Sequence, residues 1–331
     1  MLPEPTKVPT GLEHGEVLVI GVGGSTLRLC HVTIRKGECK SLNLLTEQII
    51  DEIRESGDLF DWFAARLEPV LEQWKTPNGS SLPIAVSWSF PIIDGKVASM
   101  GKTFGTRYNG QNLADLFNKA FHGRYRVTSV THDGTSSLVA GIFQNPQCAM
   151  ALTLGTGVNI NLNYQKRLLV NTEISMLGRK DTTPHIDLCA NPLFDISDDR
   201  SQFQPFEAQV GGMYLGEMVS RAVQEPVTTP QVWEILENKS DPRYDAVNAI
   251  VFRAASLVSS AIYGLILFNG NKDDFQEVVY TGGVIFEPQF RSRLKVQLNT
   301  LAKKYPFRVS LVPQKSGSEI GAAISALTEQ A

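Results

Sequence analysis

The sequence predicts an α/β protein of two lobes, with mixed sheets flanked by helices. Three observations lead there. Short apolar runs of strand character alternate with segments whose large apolar residues recur at helical spacing. Two glycine hairpins, at Gly23-Gly24 and at Gly155-Thr156-Gly157, each open a strand-and-helix unit, as duplicated lobes facing one another across a cleft would. The chain has 331 residues, 42% hydrophobic and 20% charged, which is enough for two domains with a substantial core.

The elements follow in order. After a Pro-rich lead-in, Val17–Val22 and Thr26–Ile34 read as strands joined by a tight turn. Leu59–Trp74 has helical spacing, and "TPNGS" ends it. Leu82–Phe90 reads as a buried strand ending at Pro91. Gly110–His122 reads as an amphipathic helix and Arg126–Thr131 as a strand leading into Asp133. Cys148–Tyr164 gives two strands around Gly-Thr-Gly, and "LLVNTEI" is a further strand. Pro184–Gln204 is irregular and polar; Pro205–Val223 and Ala246–Phe268 are helical patterns. Glu277–Ile285 is a strand running into a Gly-Gly turn, Gln289–Tyr305 a helix, "RVSLVP" a strand and "SEIGAAISAL" a final helix.

The formal net charge of −3 offers no basic footprint for nucleic acid. The four cysteines, Cys30, Cys39, Cys148 and Cys189, form no CxxC pair and read as reduced thiols. The N-terminal "MLPEPTKVPTGLEHGE" has no apolar core, so it does not read as a signal peptide. The most apolar stretch, Ala261–Phe268, reads as part of a buried helix rather than a membrane span.

The glycine turns carry the chemistry. "VIGVGGSTLRL" is neither a P-loop nor a dinucleotide fingerprint, because a second strand, not a helix, follows the turn. Glycines in such a hairpin leave backbone N–H groups uncovered for a phosphate. One such turn is most simply a plain hairpin. Four of them, "VGGST", "LGTGVN", "YTGGV" and "SGSEIGAA", each after an apolar strand, read as a nucleotide cradle.

Taken in order, these segments resemble the hexokinase family of the actin-like ATPase (ribonuclease H-like) fold, from about Thr6 to Leu327. "SWSFP" and "GKTF" look like sugar-binding segments. "HDGTSSL" stands at the catalytic Asn-Asp position, "VNTEI" looks like a sugar-contact strand, and "FEAQVGGMYLGEMV" looks like a long family helix. "GGST", "MGK", "VNTEIS" and "FQPFE" lean toward the fungal N-acetylglucosamine kinase branch. The resemblance implies an ATP- and Mg²⁺-dependent kinase acting on the 6-hydroxyl of a hexose or aminosugar. It also implies a cytoplasmic monomer or homodimer without nucleic-acid or membrane partners, nuclear if it is a regulator. The small lobe would take residues 16–131 and 319–331 after a lead-in of residues 1–15, and the large lobe residues 132–318.

Onto this chain the resemblance carries Asp133 as catalytic base, and Ser89, Lys102, His132, Asn171 and Glu173 as sugar contacts. Gly23, Gly24, Ser25, Gly155, Thr156, Gly157, Gly282, Gly283 and Ser318 would line the nucleotide; no residue is assigned as a metal ligand. Asp133 has a plainer reading as the N-cap of the following helix. The chain departs from the pattern in three places. Gly21 stands where the family has an Asp two residues before the Gly-Gly. His132 stands where it has Asn. The irregular "FDISDDRSQFQPFE" stands where it has a pocket glutamate. The chain is also shorter than typical members. These departures keep a second reading open, a catalytically impaired hexokinase-like regulator that binds sugar or nucleotide.

Overall fold

The computed structural model describes residues 2–3, 6–56, 59–75, 81–98, 100, 104–178, 204–270 and 273–330. Lys102, Cys189, the "TPNGS" break and most of the irregular Pro184–Gln204 stretch lie outside the described residues. By internal contacts the chain forms two units. One takes Leu2–Cys148, Lys166–Val170 and Gln314–Ala331; the other takes Ala149–Gln165 and Asn171–Pro313.

Among the described residues, the first unit is built on a five-stranded sheet. Its order is Glu38–Gln48, Thr26–Arg35, Gly15–Val22, Ile84–Trp88, Val127–His132. The first three strands form an antiparallel meander, and the last three run parallel. The hairpin at Gly23-Gly24 is as the sequence predicts. The edge strand Glu38–Gln48 is an addition: its "ECKSLNLLTEQ" is mostly half-buried or exposed and has no apolar run to announce it.

Side chains alternate across the sheet. Leu18, Ile20 and Val22 face a core with Phe60, Phe63, Trp88 and Phe117. This core is held by the helices Leu59–Leu71 and Leu113–Ala120. Burial of each such side chain contributes about 1.5–3 kcal/mol. The second helix starts at Leu113 rather than Gly110 because the Asn112 side chain caps it, accepting from the Asp115 N–H at 3.1 Å.

On the other face the C-terminal helix Gly317–Gln330 packs against Gly15–Val22 and along the helix Asp133–Gln144. A Cβ at Gly321 would overlap the Ser136 carbonyl, so the two helices approach as closely as they do only with glycine there. This packing puts 132–148 in the first unit, where the sequence reading has them in the large lobe. The lead-in is tied down as well. The buried Glu13 carboxylate accepts from the Thr10 and Gly11 N–H groups and the Thr10 and Thr328 hydroxyls. Burial pushes its pKa up, but these hydrogen bonds outweigh that and leave it below its ordinary value.

In the second unit Val158–Tyr164, Cys148–Leu154, Phe275–Thr281 and Arg308–Pro313 lie side by side in that order. The first pair is the expected Gly-Thr-Gly hairpin, and the last pair is parallel. The sequence reading is corrected at three points. The strand at Leu168 ends at Asn171, because Glu173 turns into the left-handed region at φ 49° and a short 3-10 turn follows. The expected helix Pro205–Val223 breaks at Gly211 into Pro205–Val210 and Gly212–Val223. The break frees the Gly212 and Met213 N–H groups to donate to the carbonyls of Gly155 and Thr156, at 2.8 and 3.1 Å. The strand Phe275–Thr281 ends at Gly282, whose φ of 111° turns the chain into the short helix Gly283–Phe286, four residues earlier than expected.

The helix Tyr244–Asn269 is long and apolar enough to cross a membrane by length and composition. In this unit it buries Val247, Val251, Ala254, Val258 and Ile262, the i, i+4, i+7 face of a core helix. Its Arg253 donates to Gln209 at 2.6 Å.

Candidate active site

In the first unit, three parallel strands end level with one another. Val22 pairs with Trp88, and Trp88 with His132. The next residues are therefore Gly23, Ser89 and Asp133, at the carboxyl edge of the sheet where α/β proteins bind ligands. The Ser89 N–H donates to the Val22 carbonyl at 3.0 Å, which fixes Ser89 beside the glycine turn. Its hydroxyl donates to Asp133 Oδ2 at 2.6 Å. Asp133 is 28% exposed by its side chain, with Oδ1 not engaged by Ser89.

The plainer reading of Asp133 does not hold. His132 is the N-cap, its Nδ1 accepting from the Gly134 N–H at 3.3 Å, and Asp133 is the first helical residue. His132 Nδ1 lies 3.5 Å from Asp133 Oδ1, and the ring is almost wholly buried. The cap thus spends one ring nitrogen on the backbone and leaves the Asp133 carboxylate available.

The Gly23 N–H donates to the Thr26 carbonyl at 2.8 Å, closing the hairpin. Gly24 is half-buried and Ser25 exposed. The Ser318 hydroxyl donates to Glu319 Oε2 at 2.9 Å at the start of the C-terminal helix.

In the second unit a chain of amides and carboxylates follows the Gly-Thr-Gly turn. Asn171 is fully buried; its Nδ2 donates to Glu173 Oε1 at 2.7 Å and its Oδ1 accepts from Asn159 Nδ2 at 2.8 Å. Asn171 is thus bonded to Asn159 and Glu173, both half-buried, and presents no exposed surface of its own. Glu207 Oε2 accepts from the Val158 N–H at 3.1 Å, beside Asn159. A Cβ on Gly157 would overlap that carboxylate. Sequence reasoning left out Asn159 and Glu207, although both stand in stretches it singled out, "LGTGVN" and "FEAQVGGMY"; what it lacked was the fold that puts Glu207 on the turn. Thr156 is exposed at the tip. Gly155 meets the other glycine turn directly: a Cβ there would stand 3.3 Å from the Gly283 backbone N, and one on Gly282 would overlap Leu154 backbone atoms.

Two hexokinase family models match the chain, one over residues 1–143 and one over 149–240 and 243–328. The chain belongs to the hexokinase family. It is 24% identical to N-acetylglucosamine kinase 1 of Candida albicans, over 98% of this chain and 85% of that protein. It is 27% identical to rat hexokinase-1 over 66% of this chain, but spans only 27% of that protein. The fold matches that of a Schistosoma mansoni hexokinase solved with glucose, with a TM-score of 0.83 at 22% identity over 99% of this chain and 88% of that one. A Streptomyces griseus ROK family glucokinase in complex with glucose and AMPPNP matches at a TM-score of 0.65 and 14% identity, over 96% and 100%. The expected two-lobed actin-like ATPase architecture is the one the hexokinase family fold gives.

Proposed function

We propose that this chain is an ATP-dependent sugar kinase that phosphorylates the 6-hydroxyl of a hexose or aminosugar, glucose-like or N-acetylglucosamine-like. The observation that carries the reading is the Ser89–Asp133 hydrogen bond at the carboxyl ends of parallel strands, in a chain matched along both halves by hexokinase family models. Phosphoryl transfer asks the protein mainly for positioning and charge stabilisation. Asp133 takes the proton of the attacking hydroxyl. Ser89 holds Oδ2, so Oδ1 is the accepting oxygen. In the other unit Asn171 orients Asn159 and Glu173 toward a sugar, and Glu207 adds a carboxylate beside them. The Gly23 and Gly155 N–H groups close their own hairpins, so the N–H groups of Gly24 and Ser25 in the first unit, and of Thr156 and Gly157 in the second, would be the ones to receive phosphate oxygens; Ser318 in the first unit and Gly282-Gly283 in the second would contact the nucleoside. Lys102 would contact sugar or the transferred phosphate.

Among the described residues no group of three His, Cys, Asp or Glu side chains could cage a metal. A magnesium ion would arrive on the nucleotide, held by phosphate and water oxygens with one or two protein carboxylates. The ion supplies charge neutralisation on the phosphates. Thiols at Cys30 and Cys39 fit a cytoplasmic setting. Burial, with help from the nearby Glu319 charge, pushes the Cys30 thiol up to about 11, so it is unreactive at neutral pH.

The regulator reading is not favoured. His132, one of its motives, is accounted for as a helix cap, and Asp133 stays available. The test is purified protein with Mg-ATP and a panel of hexoses and aminosugars, followed by ADP release and by mass spectrometry of the sugar product. The expected result is one preferred sugar phosphorylated at about 1–100 s⁻¹. Folded protein that phosphorylates none of the panel sinks the reading.

A further inference from the structure

The helix Pro205–Val210 has 6 residues, too few to hold itself by its own hydrogen bonds. Its place is set by what grips it from outside. Successive helical residues turn by about 100°, so Glu207 and Gln209 leave the helix about 200° apart, on nearly opposite sides. Glu207 goes to the Gly157 turn, where its Oε2 accepts from the Val158 N–H at 3.1 Å. Gln209 goes to the helix Tyr244–Asn269, where its Oε1 accepts from Arg253 Nη1 at 2.6 Å. Gln209 is only 1% exposed, so this contact is sealed from water. The short helix is clamped between a glycine turn and a guanidinium.

Arg253 is a costly residue for that place. It is half-buried beside the buried Ala254 and Ala255, and burial pulls its pKa down. Arg28, Arg35, Arg124, Arg221 and Arg243 each pair with an acid. Arg253 has no carboxylate partner among the described residues, and donates to the Gln209 carbonyl alone. Packing by itself would be met by an apolar side chain, without desolvating a charge. The charge adds strength and direction, since a hydrogen bond from an ionised donor is about twice as strong as a neutral one.

We propose that Arg253 is a positioning residue of the sugar site. Through Gln209 it fixes the helix Pro205–Val210 along and about its axis, and so fixes where the Glu207 carboxylate stands beside Asn159. The proposal rests on the kinase reading above, in which Glu207 faces the sugar. Arg253 itself touches no substrate. A carboxylate accepts from a sugar hydroxyl only within hydrogen-bond distance, so a displacement of about 1 Å at Glu207 is enough to cost affinity.

The experiment is a four-protein cycle of wild type, Arg253→Met, Glu207→Gln and the double variant, with Arg253→Lys added. Thermal melts establish folding, and Arg253→Gln replaces Arg253→Met in the cycle if the latter does not fold. Glucose and N-acetylglucosamine are titrated by calorimetry, and kcat and KM are measured for sugar and for Mg-ATP. Arg253→Met is expected to raise the sugar Kd and KM about 10-fold or more, with kcat and the KM for Mg-ATP changing far less. Arg253→Lys keeps a charged donor and is expected to recover most of the sugar affinity. In the Glu207→Gln background Arg253→Met is expected to add little to the sugar Kd, because both changes act on one contact, while it still lowers the melting temperature. Unchanged sugar affinity in the folded Arg253 variant, or an equal loss with and without the Glu207 carboxylate, overturns the proposal while the kinase reading stands. Wild-type protein that neither binds nor phosphorylates these sugars overturns both.

Discussion

The two glycine hairpins, Gly23-Gly24 and Gly155-Thr156-Gly157, both join antiparallel strands, yet a methyl group added at each meets different neighbours. At Gly23 it meets Thr26 of its own turn, the hydroxyl at 3.1 Å and the carbonyl oxygen at 3.5 Å. At Gly157 it overlaps the Glu207 carboxylate, and at Gly155 it meets the Gly283 backbone. The first hairpin is glycine for local reasons, and the second because other segments close on it. They share one device. Each turn receives a carboxylate from a helix far along the chain: Glu319 beside Gly21 in the first, Glu207 at Val158 in the second.

The largest effect expected is chemical and belongs to the first hairpin's sheet edge. Asp133→Asn keeps the Ser89 contact in shape but removes the base. The reading expects kcat to fall about a hundred- to ten-thousand-fold, with sugar affinity by calorimetry changing far less. A residual rate within a few-fold of wild type would take Asp133 out of the role.

Next come two structural substitutions that sharpen the contrast. Gly321→Ala drives a methyl into the Ser136 carbonyl, and Gly282→Ala does the same at Leu154 with a φ of 111° added. Each is expected to cost about 3 kcal/mol, at the upper end for overpacking, read by denaturant melts. If both variants are as stable as wild type, neither close approach exists.

The direct comparison of the hairpins is Gly157→Ala against Gly23→Ala. The first must displace Glu207 and is expected to cost about 2 kcal/mol. The second needs only a small shift of Thr26, with an expected cost of about 0.5 kcal/mol. Equal costs would erase the distinction between a locally and a remotely determined turn.

The smallest effect concerns the lead-in. Thr328→Val removes one donor to Glu13, for about 1 kcal/mol. The folded-state pKa of Glu13 lies below its ordinary 4.5. Its contribution is therefore fully present above about pH 4.5 and is lost as pH falls through the lower, folded value. The gap between wild type and variant should close in acid melts and stay open at neutral pH.

By itself the sequence determined what local chemistry can carry. Apolar runs of strand length and helical spacing placed most elements, because burial repeats with the backbone's own period. The strand–Asp133–helix junction and both hairpins were visible for the same reason. Only the tertiary structure decided that His132 rather than Asp133 caps the helix. It also decided that Asn171 is buried and bonded to Asn159 and Glu173, that the Pro205–Val223 pattern breaks at Gly211, that Glu207 reaches the Gly157 turn, and that Glu319 pairs with Arg28 beside Gly21. Each of these rests on a hydrogen bond, ion pair or close approach between segments distant in the chain. Such contacts have no period along the sequence, and they come into being only when the sheets and helices that hold them have packed.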